Sequence, residues 1–222
     1  MIFELIIIIF LFYIYFMLYT NSKVNKNNTL YKFDNELTRY NIHNEINIKL
    51  PFYFDADFIS NTYNLNTFDI IDKNKHFTEY KKHYDSFSLL EPYINFTVNN
   101  NIYKIKSHSN IHTNNNKINF YFMNKGSCVF YLIHPKYIDT LKKNDEIITN
   151  TKTINFIKNN TNILKLICNK NHCLYIPNNW IVYIENNSSN SNSIIEKIEY
   201  NTLIDKTYNY YLKLINKFFK NS

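Results

Sequence analysis

The apolar positions of this chain fall into three kinds of pattern. Met1–Thr20 is apolar throughout except for Glu4 and the closing Thr20. A helix of that length rises about 30 Å, the hydrocarbon thickness of a bilayer, so the segment is expected to be a transmembrane anchor. A cleaved leader would want Lys or Arg ahead of the apolar run and small residues at a cleavage site, and neither is present. The second pattern fills the centre with short aromatic-rich runs separated by turn residues. Ile118–Met123 and Cys128–Ile133 flank Gly126 and predict two strands joined by a short turn. Asn162–Cys168 and Cys173–Ile176 flank the polar Asn169-Lys170-Asn171-His172, and Trp180–Glu185 resumes the pattern after Pro177-Asn178-Asn179. The third pattern is helical. Ile194, Ile198, Ile204, Tyr208, Tyr211, Leu212, Ile215, Phe218 and Phe219 recur mostly in steps of three and four. They predict an amphipathic helix that covers the sheet or pairs with its copy in a homodimer.

Weaker signals occupy the rest. Phe77, Tyr80, Tyr84 and Phe87 lie on one helical face and predict a helix within Phe68–Leu90, with His76, Glu79 and His83 on its solvated side. Ile46–Phe54 alternates like a strand, Asp55-Ala56-Asp57-Phe58-Ile59 looks like a capped helix start, and Asn95–Ile105 reads as a hairpin about Asn99-Asn100-Asn101. Pro135–Thr153 is a polar excursion in which Tyr137, Ile138 and Leu141 suggest a helical turn or two, and Asn186–Ser193 is a low-complexity loop. The expected organisation is an anchor at 1–20, a tether at 21–29, a β domain at 30–193 and a helix at 194–222.

The order of central parts resembles the cupin-like (JmjC-type) double-stranded β-helix. Asn124-Lys125-Gly126-Ser127-Cys128 through His134-Pro135 resembles that family's Gly turn, apolar strand and Pro, and Leu174-Tyr175-Ile176-Pro177-Asn178-Asn179-Trp180 resembles its Pro and Trp hairpin. Gly126, Pro135, Pro177 and Trp180 thus form the signature. The resemblance implies a mainly β fold with flanking helices, and active members are Fe(II)- and 2-oxoglutarate-dependent oxygenases. Such enzymes hold iron with two His and a carboxylate on one face. The family's His-x-Asp aligns with His112-Thr113-Asn114, its second His with Val182, and its 2-oxoglutarate lysine with Cys128. His112 and Asn114 are therefore read as vestiges of a metal site, with no catalytic or cofactor-binding residue and no metal expected. The implied function is a binding or structural module. The alternative is an oxygenase whose iron is held by His112 with His108 or His134, and a jelly roll contributing to a coat is a third class.

Composition adjusts this picture in three places. The chain has 222 residues, 18% of them aromatic, and one glycine, so asparagine is expected to take the left-handed turn positions. A net charge of +7 invites a nucleic-acid reading, but the lysines are dispersed and Arg39 is the sole arginine, so the charge reads as a solvated surface. Three cysteines cannot all pair, which suits a reducing compartment. Cys168 and Cys173 beside His172 read as packing residues and not as zinc ligands. Lys23, Lys26 and Lys32 follow the anchor, so the positive-inside rule places the β domain in the cytosol.

Overall fold

The computed structural model describes residues 2–56, 69–73, 76–82, 90–91, 97–114, 116–137, 151–188 and 191–201; side chains at 2–3, 14, 16–22, 69, 82 and 151–153 fall outside that description. Its strands are β1 (Tyr31–Lys32), β2 (Phe52–Asp55), β3 (Asp69–Lys73), β4 (Phe77–Lys82), β5 (Thr97–Ile105), β6 (His112–Thr113), β7 (Ile118–Lys125), β8 (Ser127–Ile133), β9 (Leu164–Asn169), β10 (His172–Pro177), β11 (Ile181–Asn186) and β12 (Ser193–Asn201). The helices are α1 (Ile2–Ser22), α2 (Arg39–Ile48) and α3 (Thr151–Asn159).

One sheet has the order β1-β2-β10-β7-β12-β5-β4-β3 and the other β6-β11-β8-β9. From β5 onward the chain passes large, small, large, small, small, large, small, large. That interleaving is a jelly roll, the two-sheet architecture that cupins also adopt, so the protein is a cupin-like β-sandwich. The strands β7 and β8 do not pair with each other. Gly126, at φ 81°, turns the chain from one sheet into the other, and a Cβ there would lie 2.5 Å from Ser193 Oγ. Asn171 (φ 70°) and Asn179 (φ 66°) serve the later crossings, as the scarcity of glycine predicts.

Three layers of side chains follow from strand alternation. Phe52, Phe54, Phe120, Phe122 and Tyr175 cover the outer face of the large sheet, beneath Ile42 and Ile46 of α2. Thr38 caps that helix by accepting from Asn41 N at 3.2 Å, and left-handed Lys49 ends it. Between the sheets lie Met123, Cys128, Phe130, Leu132, Trp180, Val182 and Ile195. Val129, Tyr131, Ile133 and Tyr183 pack on the outer face of the small sheet with Ile157 of α3.

Several expectations are corrected. Residues 194–201 are not helical: β12 lies between β5 and β7 in the middle of the large sheet, and 202–222 lie outside the described residues. The three- and four-residue steps there coincide with a strand buried on both faces, and burial with cross-strand pairing overrides the apparent period. Residues 69–73 and 77–82 form β3 and β4; His83, Tyr84 and Phe87 lie outside the described residues. The Asn99-Asn100-Asn101 run is strand interior and not a turn, because β5 pairs on both sides and Asn100 Nδ2 donates to buried Glu196 at 2.7 Å. Ile46 to Ile48 complete α2, so the strand expected over Ile46–Phe54 begins only at Phe52. Asp55 closes β2 and pairs with Lys32 Nζ at 2.9 Å, while Asp57, Phe58 and Ile59 lie outside the described residues. The excursion yields a 3-10 turn at Pro135–Tyr137 and α3; residues 138–150 lie outside.

The helix expected over residues 1–20 is present as α1. Among the described residues no helix is long and apolar enough to cross a membrane, and the side chains of 14 and 16–22 belong to the undescribed set. The segment after it is bound to the sandwich: Asn25 Nδ2 donates to Ile48 O at 2.8 Å, Lys49 Nζ to Lys23 O at 2.9 Å and Asn28 Nδ2 to Asn162 O at 2.6 Å.

Candidate functional site

The aligned metal-site positions come together at one end of the sandwich. Asn179, in its left-handed turn, donates its N–H to Asn114 O at 2.7 Å, and Asn114 N donates to Trp180 O at 2.9 Å. These bonds fasten the short β6 to the start of β11. Val182 is thereby in register with His112 on one side and with Leu132 on the other.

His112 faces a hydroxyl instead of an open coordination site. Its Nε2 lies 3.1 Å from Tyr121 Oη, its Nδ1 lies 3.2 Å from Asn110 O, and Tyr121 donates to Asn114 Oδ1 at 2.7 Å. Burial, reinforced by the positive charge of Lys197, pushes the imidazole down to about 4, so it is neutral at physiological pH. Proton counting then fixes the chain. With Tyr121 donating to Asn114, its oxygen accepts from His112 Nε2, and the lone pair of Nδ1 is left facing a carbonyl oxygen. Turning the Asn114 amide over reverses every link and lets Nδ1–H donate to Asn110 O. It also employs Asn114 Nδ2, which is buried without a partner in the first sense. We therefore favour the reversed sense.

Lys197 and Glu199 of β12 point into the same space. Their side chains are 6% and 10% exposed and form an ion pair, and Lys197 Nζ also sits 5.3 Å from the centre of the Tyr121 ring. Beyond them, Glu79 Oε1 accepts from Tyr103 Oη at 3.0 Å and Asn101 Nδ2 at 2.9 Å, and burial raises its carboxyl above the usual carboxylate range. Burial likewise raises both phenols, so Tyr103 and Tyr121 stay protonated. The cluster joins β4, β5, β6, β7 and β12 by neutral donors and one compensated ion pair. Its one hydroxyl–imidazole pair, Tyr121 with His112, lies on a phenol that is buried and held protonated.

The residues do not fit the iron of the resembling family. Val182 has no lone pair, the amide of Asn114 is engaged by Tyr121, and the Nε2 of His112 points at the same hydroxyl. The other histidines have separate partners: His108 stacks on His76 at 4.1 Å, and His134 Nε2 lies 2.6 Å from Asn25 O with Trp180 edge-on at 4.9 Å. Among the described residues no three His, Cys, Asp or Glu side chains are grouped to hold a metal ion. Cys128, at the aligned lysine position, is register partner to Cys168 at the opposite end of β8 from Leu132, and burial pushes its thiol up to about 11. All three cysteines are buried and free, with Cys168 and Cys173 also shifted upward by burial. His172 faces Asp55 at 3.4 Å and accepts from Asn169 N at 3.3 Å.

The other aligned positions are structural. Gly126 makes the sheet crossing, Pro135 starts the 3-10 turn, Pro177 closes β10, and Trp180 is wholly buried between the sheets. Sequence reasoning missed Tyr121, Lys197, Glu199 and Tyr103, and it set Glu79 on the solvated side of a helix where the structure has β4. The available signal was the i, i+2 spacing of Ile195, Lys197 and Glu199, which puts them on one face of a strand.

No family profile matches the chain, and no curated protein matches it. Among solved structures it is similar to vicilin from Corylus avellana (hazelnut), with 15% identity over 63% of this chain and 34% of that one, at a TM-score of 0.41. It is also similar to the oxalate decarboxylase OxdC of Bacillus subtilis, with 11% identity over 63% of this chain and 29% of that one, at a TM-score of 0.40. The chain thus matches about a third of the length of these proteins, and its fold assignment rests on its own strand order.

Proposed function

We propose that this protein is a membrane-anchored, cupin-like binding or structural module that has lost the iron and 2-oxoglutarate site of JmjC-type oxygenases. The observation that carries the reading is the pairing of His112 with Val182, where the family would set two histidines on one iron. Tyr121 fills the intervening position with a hydroxyl bonded to both vestigial residues. Supporting the anchor, α1 runs 21 residues with Glu4 as its sole charge, and Leu5–Tyr13 and Tyr15 are between 42% and 69% exposed. Buried, unpaired thiols and the lysines after α1 support a cytosolic sandwich.

The test is anaerobic loading of the purified full chain with Fe(II), followed by dialysis and metal analysis. We expect iron well below one equivalent and no 2-oxoglutarate turnover. One equivalent of iron, lost in His112→Ala, would overturn the proposal in favour of an oxygenase with unusual ligands.

A further inference from the structure

Where the chain leaves α1 it borders a groove of about 520 Å³ lined by Lys23, Val24, Asn25, Ile46, Asn47, Ile48, Lys49, Lys117, Tyr175 and Asn178. Three of these residues are lysines and none is acidic. Lys49 and Lys23 are held together by the bond from Lys49 Nζ to Lys23 O, and Asn25 is tied to the end of α2 through Ile48 O. Lys117 comes from the opposite side, on the turn entering β7, where its backbone N–H donates to Asn201 Oδ1 at 3.2 Å. The wall is apolar: Val24, Ile46, Tyr175 and Ile48, the last 45% exposed. Its size suits a small ligand.

The geometry points to this groove as a binding site for the phosphate-bearing headgroup of an anionic lipid. The inference rests on the reading of α1 as a membrane anchor. Lys23 immediately follows Ser22, the last residue of α1, so the groove mouth sits at the depth where a spanning helix leaves the hydrocarbon and headgroups begin. Lysines on two facing sides of the groove supply ammonium groups for the phosphate oxygens, and the apolar wall takes the glycerol and the first methylenes of the chains. The bonds from Asn25 and Lys49 fix the groove against the exit of α1, so a headgroup held there would set the sandwich at one height above the membrane. A free phosphate offers the same oxygens without the apolar part, and the experiment separates the two.

The full chain in neutral detergent is titrated with short-chain phosphatidylinositol phosphate, short-chain phosphatidylcholine and inorganic phosphate, with bound ligand read by native mass spectrometry. We expect the phosphoinositide alone to bind. Each lysine near an anionic surface contributes about fivefold, so Lys23→Gln with Lys49→Gln and Lys117→Gln loses about a hundredfold. Lys117→Gln alone loses about fivefold and covers the case in which the triple variant does not fold. A control removing three exposed lysines elsewhere, at Lys81, Lys125 and Lys170, leaves affinity unchanged. Equal binding of phosphatidylcholine, equal loss in the control or unaltered affinity in the groove variants would overturn the site. Saturation by inorganic phosphate alone would overturn the lipid as its source. Alkaline carbonate extraction of membranes reads the anchor separately: release of the wild-type chain sinks the membrane reading, whereas retention with no headgroup binding sinks only the groove.

Discussion

Phe120 and Tyr121 are neighbours on β7, yet they look into different kinds of interior. Phe120 joins Phe52, Phe122 and Tyr175 in an aromatic layer closed by α2, where the packing is apolar apart from the Tyr175 hydroxyl, 3.5 Å from Ile46 O. Tyr121 looks inward at His112, Asn114 and Lys197, where each group is held by a bond or a charge. The outer layer is stabilised by area removed from water, which tolerates small shifts. The inner cluster depends on pairing, because a buried polar group that loses its partner keeps its full desolvation cost.

This contrast can be broken from either side. The largest effect belongs to the outer layer: Phe120→Ala empties a ring-sized space and costs about 4 kcal/mol in urea denaturation of the detergent-solubilised chain. On the inner side, Lys197→Met leaves Glu199 buried without its cation and costs about 3 kcal/mol, while adding Glu199→Met restores most of that loss. Additive losses in that double variant would show that the pair is not a coupled unit. The next effect is pH-dependent. His112 titrates near 4 in the folded protein and near 6.5 unfolded, so between those values the unfolded chain binds the extra proton. Stability is therefore flat above pH 6.5 and falls as pH drops through 4, by about 2 kcal/mol after allowance for partial exposure. His43 and His134 are shifted downward by burial as well, so the His112 contribution is read as the difference between wild type and His112→Gln. The smallest effect is Tyr121→Phe, which removes one oxygen from between His112 and Asn114 and costs about 1 kcal/mol. A neutral result there would mean that water replaces the hydroxyl.

The same contrast explains what could be read in the sequence. The strands β7 to β11 were legible because their aromatic and β-branched runs are bounded by Gly126, Asn171 and Asn179, each forced by its own φ. The metal-site positions were legible only through the family resemblance, and the structure does place His112, Asn114 and Val182 together. The polar cluster that surrounds Tyr121 was not. The burial of Lys197 and Glu199 is not legible, because charged residues are rarely buried unless paired; the two pair with each other, and the Tyr121 ring beside Lys197 lies in a distant part of the chain. The three- and four-residue steps also make Ile194 and Ile198 a helical stripe, where they belong to a strand paired on both sides. Likewise, β4 was hidden because Phe77 and Tyr80 fit a helical face as well as a strand once their neighbours are charged.

The position of β12 governs the order in which this protein can be made. It is the last described strand, and it is hydrogen-bonded along its length to both β5 and β7, which do not touch each other in the large sheet. Until residue 201 has left the ribosome, those two strands present raw edges, the situation in which chains cross-pair and aggregate. Joining the large sheet is thus gated by the emergence of β12, and a nascent chain stopped before Ser193 would carry two half-sheets with nothing to join them.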